Sequence, residues 1–505
     1  MKKSNLSLVG TLLLFGLMVV DPLLADEPTD GDLNSISPVK SVLLIVSDDL
    51  RASTLGCYGD QVTRTPNLDR MAASGMVFDR AYCQGTWCAP SRKSFMRSRY
   101  VDAGCPTLGE TLKAADIPST RVGKIFHMRV PGDIFDGTNG EDVAECWTER
   151  FNSQGDEAHT VGDYACLNQN IFTTAMEGRQ GARTAHRMFV TVQVDGDATD
   201  QPDYKSASKA IELLHRYQDQ SFFLAVGLVR PHYPMVAPKT MFEHYPAESM
   251  ELPNTWNQDL SKSGIPPAGQ PGGRSAQNGI DRYPINQKRM WSGYRASVEF
   301  MDAQVGRMLD ALEELGLSET TAVVFTSDHG YHLGDHTFWQ KSNLHENVAK
   351  VPLIIRPGVR SGTSHANAST QIFDTQMLAK QGQRSESLVE LVDLYPTVCD
   401  LMSVPTPSAC QGKSLIPILS DPSRTLRAEA ITILGQRKTR HFLLRTHRWA
   451  LMSYQNGSTE LYDMQKDPEQ LTNLANDPEY AVTQTDLQRR LASVIAQRGL
   501  SLSTQ

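Results

Sequence analysis

The stretch "SVLLIVSDDL" (41–50) is an unbroken apolar, β-branched run that stops on two adjacent carboxylates. A run so short and continuous suits a strand covered on both faces, as in a parallel sheet with helices packed on each side. Two further stretches have the same shape: "FFLAVGLVRPH" (222–232) and "TAVVFTSDHG" (321–330). Ahead of the last, Val298, Met301, Val305, Met308, Leu312 and Leu315 recur at three- and four-residue steps, one face of a helix that Gly316 can end. This is a helix-to-strand unit of an α/β fold. Ligands in open α/β sheets sit beyond the carboxyl ends of strands. Asp48-Asp49, Arg230-Pro231-His232 and Asp328-His329 are therefore expected to converge at one edge.

Outward from these runs, 505 residues are too many for one ordinary core and suggest a large domain with a smaller companion. Hydrophobic residues at 40% and charged ones at 21% are globular values. A formal net charge of −8 argues against nucleic acid as the main partner. Residues 1–25 pair Lys2 and Lys3 with an apolar run, Leu6 to Val20, and place Leu23 and Ala25 at the −3 and −1 positions of a cleavage site. They read as a secretory signal that is removed, leaving no stable membrane insertion and an exported protein, periplasmic or extracellular. The alternative is an uncleaved anchor.

The Gly-, Pro-, Ser- and Asn-rich segments 254–287 and 361–386 look like excursions from the large domain. Beyond about residue 420 the pattern changes to short alternating pieces, "HFLLRTHRWALMSY" (441–454) and "TELYDM" (459–464), expected as antiparallel strands. A closing helix shows Leu487, Leu491, Val494 and Ile495 on one face, with Gly499 at its end. The expected division is 38–420 for the large domain and 421–505 for the smaller. Of eight cysteines, Cys146/Cys166 and Cys399/Cys410 are the nearest candidates for disulfides, and no spacing matches a zinc motif.

Three carboxylates from two strand ends, Asp48, Asp49 and Asp328, could satisfy a hard, oxygen-seeking cation such as Ca²⁺. Read singly, Asp48 serves equally well as a helix cap and Asp328 as part of a turn. His127 in "VGKIFH", His232 and Lys341 in "FWQKSNLHE" are each unremarkable alone. Cys88 is harder to explain. It opens "CAPSR" (88–92) among cationic residues, which neither burial, a disulfide nor a zinc site calls for.

The order of the pieces resolves this. "DDLR", "GCYGD", "CAPSR", "GK-FH", "LAVG--RPH", "SDHG--LGDH" and "LYD...DP...NLA" run from about Val42 to Leu474. Together they resemble the type I sulfatases, in particular the iduronate-2-sulfatase branch and its bacterial relatives. The resemblance implies an alkaline-phosphatase-like α/β fold: a large mixed sheet flanked by helices, then a C-terminal antiparallel sheet and terminal helix. It implies that a formylglycine-generating enzyme oxidises Cys88 to formylglycine during maturation. The hydrated aldehyde has two hydroxyls, one to attack sulfur and one to expel sulfate afterwards.

Residue by residue, the resemblance implies one Ca²⁺ held by Asp48, Asp49, Asp328, His329 and an oxygen of modified Cys88. Asn often stands where this chain has His329, but the iduronate branch uses His. Arg92 and Lys124 would offset charge on the sulfate, and His127 would take the proton of the second hydroxyl. His232 and Lys341 would contact the ester oxygen, one of them as the acid. The expected substrate is a sulfate monoester on a sugar or polysaccharide fragment. Two other readings fit the fold: a phosphonate monoester hydrolase or phosphodiesterase of the same superfamily, and a catalytically silent carbohydrate-binding relative. The complete residue set argues against the second.

After Phe95 the family usually continues Leu-Thr-Gly-Arg and a longer substrate-facing loop. This chain has Met96-Arg97-Ser98-Arg99-Tyr100 and a shorter connection to "CPTLGETLK" (105–113). Arg97 and Arg99, with Lys93, could add cationic charge beside an anionic sugar, or be solvated helix residues.

Overall fold

The computed structural model describes residues 39–101, 104–177, 179, 187–270, 279–358, 382–435 and 439–500. The leader expected at 1–25 and most of the excursion expected at 361–386 lie outside them. The large sheet comprises β1 (Ser41–Asp48), β2 (Met76–Tyr82), β3 (Ser119–Gly123), β4 (Glu149–Phe151), β5 (Phe223–Pro231), β6 (Thr321–Ser327), β7 (Lys350–Val351), β8 (Leu353–Arg356) and β9 (Gln383–Glu390). Its order is β7–β2–β8–β6–β1–β5–β3–β4, with β9 also paired to β2. The three apolar runs are adjacent central strands: β1 lies parallel to both β5 and β6, Val42 opposite Phe223 on one side and Ala322 on the other. The sheet is mixed because β7 and β8 run antiparallel to β2, and β8 antiparallel to β6.

Period-two alternation distributes the central strands between two cores. Leu43, Ile45, Leu224, Val226, Val323 and Phe325 join one cluster. Val42, Leu44, Val46, Phe223, Ala225, Ala322 and Val324 join the other. Five helices cover these faces: α1 (Cys88–Arg97), α2 (Leu108–Ala114), α3 (Pro202–Tyr217), α4 (Pro284–Glu314) and α5 (Leu394–Leu401). Leu213 of α3 and Val298, Met301, Val305, Met308 and Leu312 of α4 fill the first core. Phe95, Leu108, Leu112 and Val398 fill the second. Among the described residues no helix is long and apolar enough to cross a membrane.

Both expected excursions are shorter than the composition suggests. The last residues of 254–287 form the first turn of α4, where Pro284 is tolerated because its missing N–H has no helical partner, and buried Asn286 donates to the Leu167 carbonyl at 2.8 Å. Residues 383–386 begin β9, whose first half is polar because it is partly exposed at the sheet edge.

The C-terminal strands β10 (Ala430–Leu434), β11 (His441–Arg445), β12 (Trp449–Ser453) and β13 (Thr459–Asp463) form an antiparallel sheet in chain order. The closing helix α6 (Ala481–Gln497) sets Leu487, Leu491, Val494 and Ile495 against Ile431, Leu444, Leu451 and Leu461. The opposite face, with Leu443, Ala450 and Met452, packs on Tyr82 of β2, Leu388 of β9 and Leu344.

Neither expected disulfide forms; all eight cysteines are free. Cys146 and Cys166 belong to opposite cores, so nearness in sequence does not bring them together. Cys399 is buried in α5, whereas Cys410 faces Cys105 with 3.6 Å between the sulfurs.

Candidate active site

The site forms where β1, β5 and β6 end. Asp48 closes β1, and Asp49 turns the chain with a left-handed φ of 64°, which Asp tolerates better than most residues. The Asp49 amide donates to Asp328 Oδ1 at 3.2 Å, and the Leu50 amide to Ser327 Oγ at 3.0 Å, joining the ends of β1 and β6. Ser47 Oγ donates to the Arg230 carbonyl at 2.8 Å and ties in the end of β5. Lys124 enters beside them because two glycines allow a close crossing. A Cβ on Gly227 would lie 1.9 Å from the Lys124 carbonyl oxygen, and one on Gly123 would lie 2.3 Å from that of Gly227.

Helix α1 starts at Cys88 and aims its amino end, with its partial positive charge, into the cluster. The Cys88 thiol lies 3.4 Å from Asp48 Oδ1, 3.4 Å from His329 Nε2 and 3.1 Å from Lys341 Nζ. One turn on, Ser91 Oγ donates to the Asp328 carbonyl at 2.5 Å. Arg92 Nε donates to Asp328 Oδ2 at 2.8 Å, its Nη2 lies 3.2 Å from Asp48 Oδ1, and Nη1 reaches the Lys124 and Ile125 carbonyls. Lys124 Nζ contacts Asp48 Oδ2, and Lys341 Nζ donates to Asp49 Oδ1 at 2.6 Å.

Burial would raise the pKa of Asp48, but Lys124, His232 and Arg92 outweigh it and hold that carboxyl well below its usual range. For Asp49 burial wins over Lys341 and His329 and lifts the pKa to about 7. Burial opposes charge on His329, yet Asp328 and Cys88 carry it up to about 9. His232 is held well below its usual value by burial and by Lys341; its Nδ1 bonds the Tyr233 carbonyl at 2.7 Å, and Nε2 stands 3.7 Å from Asp49 Oδ2. His127, partly exposed, is lowered to about 4 by burial and Lys124.

Ligand atoms of Asp48, Asp49, Cys88 and His329 lie within 4.8 Å of one another, a cation-sized cluster among the described residues. Asp49 Oδ2 is buried without a hydrogen-bond partner, as a ligand oxygen would be. His329 engages the Gly330 carbonyl through Nδ1 at 2.9 Å, which turns Nε2 toward the cluster, where a ligand nitrogen would point. These residues could hold a metal ion. Asp328 stands beside them with Oδ1 accepting from the Asp49 and His329 amides and Oδ2 from Arg92.

A family model described as Sulfatase matches residues 40–404, more than half of the chain. The chain belongs to the sulfatase family. A second model, described as N-sulphoglucosamine sulphohydrolase, C-terminal, matches residues 334–497 of this sulfatase. It is 31% identical to iduronate 2-sulfatase of Homo sapiens over 418 residues, covering 76% of this chain and 72% of that protein. An arylsulfatase of Clostridium perfringens is 26% identical, covering 87% and 91%. Among solved structures, BT4656 in complex with its substrate D-glucosamine-2-N,6-O-disulfate superposes with a TM-score of 0.69 at 20% identity, covering 92% and 98%. The phosphonate monoester hydrolase of Silicibacter pomeroyi does so at 0.72 and 21%, covering 91% and 95%. These two likenesses establish the alkaline-phosphatase-like fold, and the family makes the sulfatase a sulfuric ester hydrolase.

Asp48, Asp49, Cys88, Arg92, Lys124, His232, Asp328, His329 and Lys341 meet in this cluster and partly exposed His127 feels the charge of Lys124, whereas Arg97, Arg99 and Lys93 are bonded elsewhere. Arg97 Nη1 donates to the Cys105 carbonyl at 2.7 Å and Arg99 Nη1 to the Ala409 carbonyl at 2.9 Å. Both pin the shortened connection to its neighbours at the far end of α1. Lys93 pairs with Glu141 at 3.1 Å. Two supports, Tyr294 and Glu157, carry no sequence signal. Tyr294, inside α4, donates to the Asp49 carbonyl at 2.7 Å and accepts from the Arg51 amide at 3.0 Å. Buried Arg230 pairs with Glu157 at 2.6 Å and donates to the His232 carbonyl at 2.9 Å.

Proposed function

We propose that this sulfatase is exported and hydrolyses a sulfate monoester on a carbohydrate, a uronic acid 2-sulfate or another polysaccharide-derived sulfate. One observation carries the reading. Arg92, Lys124 and Lys341 surround Cys88 and its neighbouring carboxylates, a buried cationic lining with one reactive side chain at its centre. After conversion to formylglycine by its generating enzyme, Cys88 supplies the nucleophile. Arg92 and Lys124 hold it and offset negative charge on the sulfate. His127 takes the proton of its second hydroxyl. His232 and Lys341 face the ester oxygen, and one of them protonates the leaving alcohol.

Asp48, Asp49, Asp328, His329 and an oxygen of modified Cys88 would hold Ca²⁺. When bound, the ion would polarise the sulfate oxygens and stabilise the charged nucleophile. Residues 38–420 are assigned to the catalytic domain and 421–505 to the smaller subdomain.

The deciding experiment is mass spectrometry of the tryptic peptide carrying Cys88 from protein made in its native host, followed by turnover of sulfated sugars and of phosphonate and phosphate esters. A formylglycine mass with sulfate release from a sugar is expected. An unmodified thiol without turnover would leave the silent carbohydrate-binding relative. Faster cleavage of a phosphonate or phosphate ester would move the assignment to that branch of the superfamily.

A further inference from the structure

The proposed machinery lies deep. Asp48, Asp49, Arg92, Lys124, Asp328 and His329 are fully buried, and Cys88 and Lys341 are only 3% and 8% exposed. A sulfate ester entering this site leads with its sulfate and leaves the sugar ring at the rim. The large exposed side chain nearest the nucleophile along the chain is Trp87, whose Cα is about 3.8 Å from that of Cys88.

Trp87 breaks two local rules at once. Residues 81–88 are buried except for this indole, which is 52% exposed between Thr86 at 1% and Cys88 at 3%. It also occupies the N-cap of α1, where Ser, Thr, Asp or Asn would satisfy a free amide, and it makes no side-chain cap. Departures from local preference are expected at functional or strained sites. The indole has neither a stacked ring nor a hydrogen-bond partner among the described residues.

Its backbone is tied on both sides. Thr86 accepts from the Ser342 amide at 3.3 Å, Trp87 accepts from the Ser91 amide at 3.2 Å, and Gly85 bridges to Ile433 of β10. The Trp87 backbone is thus anchored between the segment that carries Lys341 and the C-terminal sheet. Arg97 and Arg99 leave the rim without the cationic side chains that the sequence offered for it.

We propose that Trp87 is a specificity-determining residue: its indole is the platform on which the pyranose bearing the scissile sulfate stacks. This rests on the sulfatase reading above. A pyranose presents an apolar C–H face, and tryptophan offers a flat, rigid apolar surface with an N–H at its edge. It adds no negative charge beside an anionic substrate.

The test uses Trp87→Ala and Trp87→Phe, alone and combined with Cys88→Ala, and a panel of 2-O-, 6-O- and N-sulfated disaccharides with inorganic sulfate as the ring-free control. In the Cys88→Ala background, calorimetry should show that Trp87→Ala weakens the best-bound disaccharide at least tenfold. Sulfate affinity should stay within twofold, and Trp87→Phe should recover most of the loss. With Cys88 intact, KM for that sugar should rise while kcat stays within threefold. Equal disaccharide affinity with and without the indole overturns the platform, as does a protein that binds none of the panel. Failure of the sulfatase reading looks different: no sulfate ester, 4-nitrophenyl sulfate included, is turned over, whatever the binding of sugars.

Discussion

At the amino end of α1, Arg92 is fully buried and its guanidinium faces Asp48 and Asp328 as well as two carbonyls. At the carboxyl end, Arg97 donates to the Cys105 carbonyl of the connection that follows and Arg99 to the Ala409 carbonyl. The three side chains have the same chemistry and lie within eight residues, yet one sits in the buried carboxylate cluster and two bond carbonyls past the far end of the helix. A guanidinium takes its role from the acceptors that surround it, and those come from β1, β6 and the residues after β3, all remote in sequence. Removing Arg92 would leave buried carboxylates without their cation, which costs about 3–5 kcal/mol for a broken buried pair. Removing Arg99 loses one charged hydrogen bond at a partly exposed site, about 1–2 kcal/mol.

This contrast can be tested at several strengths. Cys88→Ala should reduce turnover below detection while thermal melting stays near that of the parent; full residual activity would refute the nucleophile. Arg92→Ala should lose turnover and about 3–5 kcal/mol of stability together, measured by denaturant unfolding. Loss of one without the other would separate the charge from the scaffold. Asp48→Asn or Asp328→Asn should lower bound calcium in elemental analysis, and an unchanged content would remove those carboxylates from the site. His232→Ala should slow sugar sulfates far more than aryl sulfates, whose leaving groups need little protonation; equal losses would end its candidacy as the acid. The smallest effect is expected for Arg97→Ala with Arg99→Ala. The KM for a sulfated sugar should stay within about threefold, normalised to the converted fraction of Cys88. A selective rise in that KM would return both arginines to the rim and erase the difference between the two ends.

Much of the architecture was legible because it depends on local regularities. Apolar β-branched runs specified the central strands, three- and four-residue steps specified α4 and α6, and polar residues at strand ends converge because parallel strands share one carboxyl edge. The rest failed where composition is a poor guide. The polar first half of β9 reads as part of an excursion because it is partly exposed at the sheet edge, and Pro284 falls within one although it begins a helix. Cysteine pairing by nearness fails because the sheet separates Cys146 from Cys166.

By itself the sequence determined at which strand or helix ends the polar side chains of this sulfatase stand, since that follows from period, turn chemistry and motif. The tertiary structure alone decided three other facts: that Asp49 Oδ2 has no hydrogen-bond partner, that Arg97 and Arg99 bond carbonyls away from the cluster, and that Trp87 stays exposed beside buried Cys88. Each depends on the position of donors, acceptors and walls contributed by distant elements, and short-range sequence pattern carries no record of where those come to rest.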